Sequence, residues 1–140
     1  MTLIVDASVA LKWVLRQPDS QLAWSIPQRF SLSAPAFWRL ESASVLWKFH
    51  RKRLLTDAEL TIAFMRLDQA PVDADDAAVD VGQALDLASE LGHPVYDCLY
   101  LAVALRRDAT VVTADGGFAE AASRNPVYRD RVRLLESFAG

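Results

Sequence analysis

Four acidic residues spaced widely along the chain give the strongest indication of chemistry: Asp6, Glu41, Asp97 and Asp115. Asp6 closes a short apolar run, and burying a carboxylate is unfavourable unless it is paired, hydrogen-bonded or bound to a metal. Four carboxylates in one cleft would repel and raise one another's pKa unless a cation lay among them. Oxygen ligands suit Mg²⁺ or Mn²⁺, and such ions can activate water and stabilise charge on a phosphate. If folding gathers these acids, the pattern predicts metal-dependent hydrolysis of phosphodiester bonds.

The elements that must position these acids alternate between short strands and longer helices. Short apolar runs, the first of them rich in β-branched residues, predict strands over 2–5, 31–33, 71–73, 109–113 and 132–135. Helical spacing and capping signals predict helices over 7–15, 19–31, 35–52, 57–68, 75–91, 97–107 and 118–123. Parallel strands need crossover connections, which are usually helices, so the alternation predicts an α/β sandwich around a mainly parallel sheet.

The predicted elements place the acids in two kinds of position. Asp6 and Asp115 follow the carboxyl ends of predicted strands, where ligands bind in parallel sheets. Glu41 and Asp97 fall within predicted helices, on faces that are otherwise apolar. Neither position is typical of a solvent-facing acid, so all four acids are candidates for one site.

Composition limits the classes of protein that the sequence can encode. A chain of 140 residues with 52% hydrophobic content predicts one domain spanning residues 1–140. A net charge of -3 and a pI near 5.3 give no overall attraction to nucleic acid, so any contact must be local. Cys98 is the only cysteine, which excludes an internal disulfide and predicts a reducing, cytoplasmic setting. No run approaches the ~20 apolar residues of a membrane helix.

Four segments of the sequence resemble the PIN domains, and within them the VapC-type toxins of bacterial toxin–antitoxin systems. The resemblance spans nearly the whole chain and is carried by Val5-Asp6-Ala7-Ser8, by Glu41 after Ala34-Pro35, by Tyr96-Asp97-Cys98-Leu99-Tyr100-Leu101-Ala102, and by Thr113-Ala114-Asp115-Gly116-Gly117-Phe118. It implies a PIN-like three-layer sandwich and a Mg²⁺- or Mn²⁺-dependent endoribonuclease. It also implies a homodimer held inactive by a cognate antitoxin, with tRNA or ribosomal RNA among the family's targets.

The resemblance assigns roles to residues at matching positions. All four acids match the acidic quartet that binds metal in the family, and Ser8 and Thr113 match hydroxyl positions beside it. We expect both hydroxyls to support the acids and not to bind the metal directly. Gly117 departs from relatives that carry an acid or Asn two residues after the last acid, which leaves one or two metals open.

Each acid also has a structural explanation that the sequence leaves open. Asp6 is a preferred residue for a helix N-cap, and Asp115 precedes two glycines, as turn acids often do. Asp97 could cap its own helix, while Glu41 could pair at the surface with a neighbouring base, Arg39 or Lys48.

A basic run lies at the end of the predicted helix that carries Glu41. Lys48, Arg51, Lys52 and Arg53 could bind RNA phosphates, because such contacts release counterions and supply sequence-independent affinity. The alternative is a favourable interaction of these cations with the end of the helix. His50 and His93 show no metal-ligand spacing, so the sequence predicts no role for histidine.

Other classes of function lack their defining features. Asp6-Ala7-Ser8-Val9-Ala10 contains no glycine, so the loop after the first strand cannot cradle a nucleotide phosphate in the usual way. An aspartyl-phosphate phosphatase would need a second acid where Ser8 stands. The remaining alternative is a non-catalytic domain of the same fold that binds RNA or a protein.

Overall fold

Five parallel strands form the centre of the molecule. The computed structural model describes residues 1–140. The strands are β1 (Thr2–Val5), β2 (Ser31–Pro35), β3 (Val72–Asp75), β4 (Thr110–Thr113) and β5 (Val132–Leu134). They lie in the order β3-β2-β1-β4-β5, and every neighbouring pair is parallel.

Seven helices connect and cover the strands. They are α1 (Ala7–Val14), α2 (Ser20–Arg29), α3 (Trp38–Arg51), α4 (Asp57–Asp68), α5 (Val81–Leu91), α6 (Val95–Arg106) and α7 (Gly116–Ser123). Helix α1 packs against α2, α3 and α4, while α6 packs against α5 and covers β1, β2 and β4. Right-handed crossovers that run in opposite directions along a sheet lie on opposite faces. The predicted three-layer α/β sandwich with a parallel sheet is therefore confirmed.

The order of the strands creates one crevice at the carboxyl edge of the sheet. The chain moves outward from β1 through β2 to β3, and then returns to β4 on the other side of β1. Connections leave β1 and β4 in opposite directions, so the space between their carboxyl ends is the topological switch point where ligands bind in such sheets. Helix α6 begins at this edge, and its residues 100–104 are all buried, which fixes the helix against the sheet.

The predicted starts of α3 and α7 are wrong. Pro35 closes β2 and pairs with Asp75, so α3 begins three residues later than predicted, at Trp38. A strand end tolerates proline because a missing N–H there breaks no central ladder bond. The glycines at 116 and 117, predicted as a turn, instead open α7 because the Asp115 side chain caps that helix.

The helix predicted over 75–91 begins only at Val81. Asp75 belongs to β3, Ala77 has a left-handed backbone with φ of 60°, and a 3₁₀ turn covers Ala78–Asp80. The Arg106 guanidinium holds the carboxylates of both Asp75 and Asp80, at 2.7 and 2.9 Å. These ion pairs join residues far apart in sequence, so local spacing gave no sign of them.

The predicted capping box at the start of α4 is confirmed. The Thr56 hydroxyl accepts the Glu59 amide at 3.1 Å, and the Glu59 carboxylate accepts the Thr56 amide at 2.9 Å. Both residues are exposed, so little besides the cap depends on the Thr56 side chain.

Replacing Thr56 with alanine should therefore lower the free energy of unfolding by about 1 kcal/mol, the usual contribution of such a cap. Urea unfolding followed by circular dichroism measures the change. The control is Thr61→Ala in the same helix, whose exposed hydroxyl bonds only the Asp57 carbonyl. Equal effects of the two substitutions would contradict a specific contribution from the cap.

Candidate metal centre at the carboxyl edge of the sheet

The structure brings all four predicted acids to the crevice between β1 and β4. Asp6 directly follows β1, and Asp115 follows β4 by two residues. Glu41 and Asp97 lie in the first turns of α3 and α6. Burial is the main cause of the raised pKa of Asp6, Glu41 and Asp97, and charge repulsion from other members of the quartet adds to it. The four carboxylates therefore share one electrostatic environment, although they come from four separate parts of the chain.

Asp6 is the most deeply buried acid of the quartet, with 3% of its surface exposed. Its Oδ2 accepts hydrogen bonds from the hydroxyls of Thr113 at 2.7 Å and Ser8 at 2.8 Å. Asp6 stands at the N-cap position of α1, but its side chain makes no capping bond. The helix-cap explanation thus does not account for Asp6, and the two hydroxyls fix its carboxylate in the crevice.

The two supporting hydroxyls also tie the loop after β4 to this site. Thr113 accepts the Asp115 amide at 3.0 Å, and Ser8 accepts the Ala114 amide at 2.9 Å. Each hydroxyl uses its hydrogen on Asp6 and an oxygen lone pair on the loop. Ser8 and Thr113 therefore connect Asp6 with the segment that carries Asp115.

Glu41 is held by a buried tyrosine. The Tyr100 hydroxyl donates to Glu41 Oε1 at 2.7 Å, and Phe37 packs against the Tyr100 ring with centroids 5.4 Å apart. Burial raises the pKa of the Tyr100 phenol far above its usual value, so this group remains a donor. Glu41 makes no ion pair with Arg39, which instead contacts Asp68 at 3.3 Å.

Asp97 is held by a histidine. His93 Nε2 lies 2.7 Å from Asp97 Oδ2, and an ionised carboxylate can only accept, so the imidazole donates. Helix α6 has Pro94 at its N-cap, so Asp97 does not cap its own helix. The structure corrects the expectation that His93 has no relation to a metal site, because ligand atoms of His93, Asp97 and Asp115 all lie within 4.8 Å of one another.

Asp115 combines a structural role with its place in the crevice. Its Oδ1 accepts the amides of Gly117 at 2.9 Å and Phe118 at 3.3 Å, which caps α7. A Cβ added at Gly117 would lie 3.3 Å from that same oxygen, so glycine allows the close approach. Asp115 Oδ1 therefore has the structural role that the sequence left open for this acid, whereas Oδ2 does not.

A common pattern emerges from the four acids. Each carboxylate has one oxygen held by a donor from the protein, while its other oxygen has no hydrogen-bond partner. The unpartnered oxygens are Asp6 Oδ1, Glu41 Oε2, Asp97 Oδ1 and Asp115 Oδ2. This set of anchored hard oxygen donors fits a divalent cation such as Mg²⁺ or Mn²⁺.

Burial raises the pKa of three of the four acids. Burial raises the pKa of Asp6 to about 6, although the hydrogen bonds from Thr113 and Ser8 oppose the rise. Burial likewise raises the pKa of Glu41 to about 7, against the bond from Tyr100. The pKa of Asp97 is raised by burial despite the His93 bond. A bound cation would reverse this effect by favouring the ionised forms.

The basic run lies apart from the acids. Helix α3 rises by about 1.5 Å per residue, so Lys48 and Arg51 lie about 10 and 15 Å along the helix from Glu41. Lys48, Lys52 and Arg53 are exposed and form no ion pair, whereas the Arg51 guanidinium stacks over Trp47 at 4.9 Å. These cations remain free to meet a phosphate, but they do not line the crevice.

Two contributors were missed in the sequence, His93 and Tyr100. The His93-to-Asp97 spacing of four residues was a usable signal, but Pro94 separates the histidine from the helix and hides it. Tyr100 fitted an apolar helical row, and its partner Glu41 is 59 residues away. Only the tertiary fold brings that pair together.

Comparison with known proteins agrees with this architecture. The family model described as PIN domain matches residues 3–123. Among solved structures, that of PAE2754 from Pyrobaculum aerophilum has 21% identity and a TM-score of 0.69, and the match covers 98% of this chain and 91% of that one. The crystal structure of FitAcB from Neisseria gonorrhoeae has 18% identity and a TM-score of 0.61, covering 96% of each chain. These two similarities concern the fold.

Two further findings are negative. No curated protein matches the sequence. None of the helices is both long and apolar enough to cross a membrane.

The raised pKa of Glu41 predicts how stability depends on pH in the metal-free protein. The folded state holds protons on Glu41 and Asp6 that the unfolded state has already lost, so unfolding becomes easier as pH rises from about 4 to about 7. Glu41→Gln keeps an oxygen for Tyr100 and removes one charge. We expect this variant to be more stable than the wild type at pH 8, with a smaller difference at pH 4.

Urea unfolding in EDTA across this pH range measures the effect. Glu120→Gln in α7 is the matched control, because Glu120 is exposed and outside the crevice. An unchanged pH dependence in Glu41→Gln would show that the Glu41 carboxylate is not strained by its surroundings.

Proposed function

This chain belongs to the PIN domain family, whose model matches most of its length, and we propose that it is a metal-dependent endoribonuclease. PIN domains are generally metal-dependent nucleases. Within that class, we propose that residues 1–140 act as a single nuclease domain that hydrolyses phosphodiester bonds of RNA with Mg²⁺ or Mn²⁺. Transfer RNA and ribosomal RNA are the substrate classes that the VapC-type resemblance favours.

The observation that carries this proposal is the arrangement of the four carboxylates. Asp6, Glu41, Asp97 and Asp115 each present one unpartnered oxygen, and the other oxygen is held in place. A non-catalytic binding domain has no need to gather acids that repel one another and lose solvation. The repulsion and the lost solvation are explained if the acids bind a cation.

In this proposal the four acids are metal ligands, and none of them attacks the substrate. When bound, the metal would supply an activated water and stabilise negative charge on the phosphate. Thr113 and Ser8 hold the carboxylate of Asp6, and Tyr100 holds that of Glu41. Because these donors come from buried or half-buried positions, the unpartnered oxygens would be oriented before any metal arrives, which lowers the entropic cost of binding.

RNA would gain affinity from the basic run at the end of α3. Lys48, Arg51, Lys52 and Arg53 are exposed cations on a protein whose net charge is -3. Since the crevice is itself negative before a metal binds, this run is a suitable place for phosphates away from the scissile bond. An RNA that touches both regions would extend at least about 10 Å along α3.

A protein partner fits the same proposal. We propose that the chain is the toxin of a toxin–antitoxin pair, acts in the cytoplasm as a homodimer, and is inhibited by a cognate antitoxin. Trp47, Phe64 and Met65 are 53%, 44% and 53% exposed, and they border one groove between α3 and α4. Apolar patches of this kind are typical of protein interfaces. This groove is a suitable contact surface for the antitoxin or for a second copy of the chain.

Cleavage of RNA tests the proposed activity directly. We expect the purified chain to cut RNA with Mg²⁺ or Mn²⁺ and to stop when EDTA is added. Asp97→Asn should reduce the rate by more than about 100-fold, because losing a ligand exceeds the loss usual for an outer partner. Gel analysis of end-labelled RNA measures the rate.

Asp86→Asn, an exposed acid in α5, serves as the matched control and should leave the rate unchanged. Cleavage that survives both chelation and Asp97→Asn would rule out the metal mechanism. If the chain binds RNA but cuts none with either ion, the non-catalytic alternative becomes the better explanation.

A separate substitution tests the basic run. Lys48→Ala combined with Lys52→Ala should weaken RNA binding and reduce the slope of log affinity against log salt by about 1.4, which corresponds to two lost phosphate contacts on a single strand. Fluorescence anisotropy over a salt series, with Asp97→Asn as the background, measures binding without cleavage. Arg16→Ala with Arg124→Ala removes the same charge from other exposed positions. An identical change in both double variants would mean that only net charge matters.

A further inference from the structure

His93 occupies a defined position between two of the acids. Its Nε2 lies 2.7 Å from Asp97 Oδ2, and its side chain is 14% exposed. The imidazole stacks on Phe118 with centroids 5.2 Å apart and ring planes 14° apart. Its carbonyl oxygen lies 3.7 Å from the Cys98 thiol, in the first turn of α6. The ring, the backbone and the donating nitrogen of His93 are therefore all restrained.

The stack on Phe118 connects His93 to the other side of the crevice. Phe118 is fully buried in the first part of α7, and its amide donates to Asp115 Oδ1 at 3.3 Å. A continuous series of contacts thus runs from Asp97 through His93 and Phe118 to Asp115. This series joins the residue before Pro94, the N-cap of α6, to α7, and the ligand atoms of both acids lie within 4.8 Å of each other.

Without such a connection, the two acids would tend to separate. Asp97 and Asp115 repel each other, and each lies at the start of a different helix. A hydrogen bond from the imidazole to one oxygen stabilises that carboxylate and selects its rotamer. A flat contact between two rings limits how far the helix starts can shift.

We propose that His93 is a positioning residue that holds Asp97 at a metal-binding distance from Asp115 and leaves Asp97 Oδ1 for the ion. This inference rests on the proposed metal-dependent function and adds a residue to it. His93 acts through Asp97 and is not a ligand. Residues that orient a ligand in this way typically contribute 10–100-fold to metal affinity.

Binding of Mn²⁺ to the full chain tests the role of His93 without any RNA. The free Mn²⁺ signal in electron paramagnetic resonance gives the dissociation constant. His93→Leu removes the donor and should weaken binding by about tenfold or more. His93→Gln can place an amide N–H near the former Nε2 and should recover most of the affinity.

The matched control is His50→Leu. His50 is the other histidine, and its Nε2 contacts Asp57 at 2.6 Å, away from the crevice. This variant should bind Mn²⁺ like the wild type. Thermal melting followed by circular dichroism verifies that each variant is folded.

Electron spin-echo spectroscopy of Mn²⁺-bound wild type separates positioning from ligation. We expect no directly coordinated nitrogen, and a coordinated histidine nitrogen would overturn the positioning role. Wild-type affinity in folded His93→Leu would overturn it as well, while leaving the proposed function intact. If the wild type itself binds no Mn²⁺, both the positioning role and the metal-dependent function fail.

Discussion

The cost of burying four carboxylates in one crevice, increased by their mutual repulsion, is the constraint on which the rest of this structure depends. The acids can share one crevice only because each has an oxygen stabilised by a specific donor, namely hydroxyls for Asp6, a phenol for Glu41, an imidazole for Asp97 and backbone amides for Asp115. These bonds reduce the strain but do not remove it, since the pKa of Glu41 still rises to about 7. A divalent cation would offset both the lost solvation and the repulsion, so the energetic weakness of the metal-free site also favours binding of a cation.

The fold supplies these donors from elements that the chain order keeps far apart. The crossover that returns from β3 to β4 places α6 over β1 and β2, and this brings Tyr100 to Glu41 and Asp97 to the end of β1. One helix therefore contributes both an acid and a donor to another acid. Its buried residues 100–104 anchor it in the core, so the positions of these groups depend on packing and not on loop conformation. A site of this kind should be well ordered even before it binds an ion.

Much of this arrangement was accessible from the sequence, and the failures have physical causes. Asp6 and Asp115 were predictable because a parallel sheet directs its strand ends to one edge, and alternation of strands and helices is a local signal. The donors Tyr100 and His93 were not, since a tyrosine in an apolar helical row and a histidine before a proline look structural. The partner of Tyr100 lies on another element, and Pro94 conceals the four-residue spacing of His93 and Asp97. The late start of α5 has a similar cause, because Arg106 holds Asp75 and Asp80 from the far end of α6.

The central claim is that the four unpartnered carboxylate oxygens form a cation site at the switch point between β1 and β4. X-ray diffraction from crystals of the full chain grown with Mn²⁺ tests it most directly, because anomalous scattering locates the ion independently of the protein coordinates. The account predicts an anomalous peak in the crevice, within coordination distance of Asp97 Oδ1 and at least one of Asp6 Oδ1, Glu41 Oε2 and Asp115 Oδ2. A fully occupied peak elsewhere on the protein, with none in the crevice at saturating Mn²⁺, would contradict it.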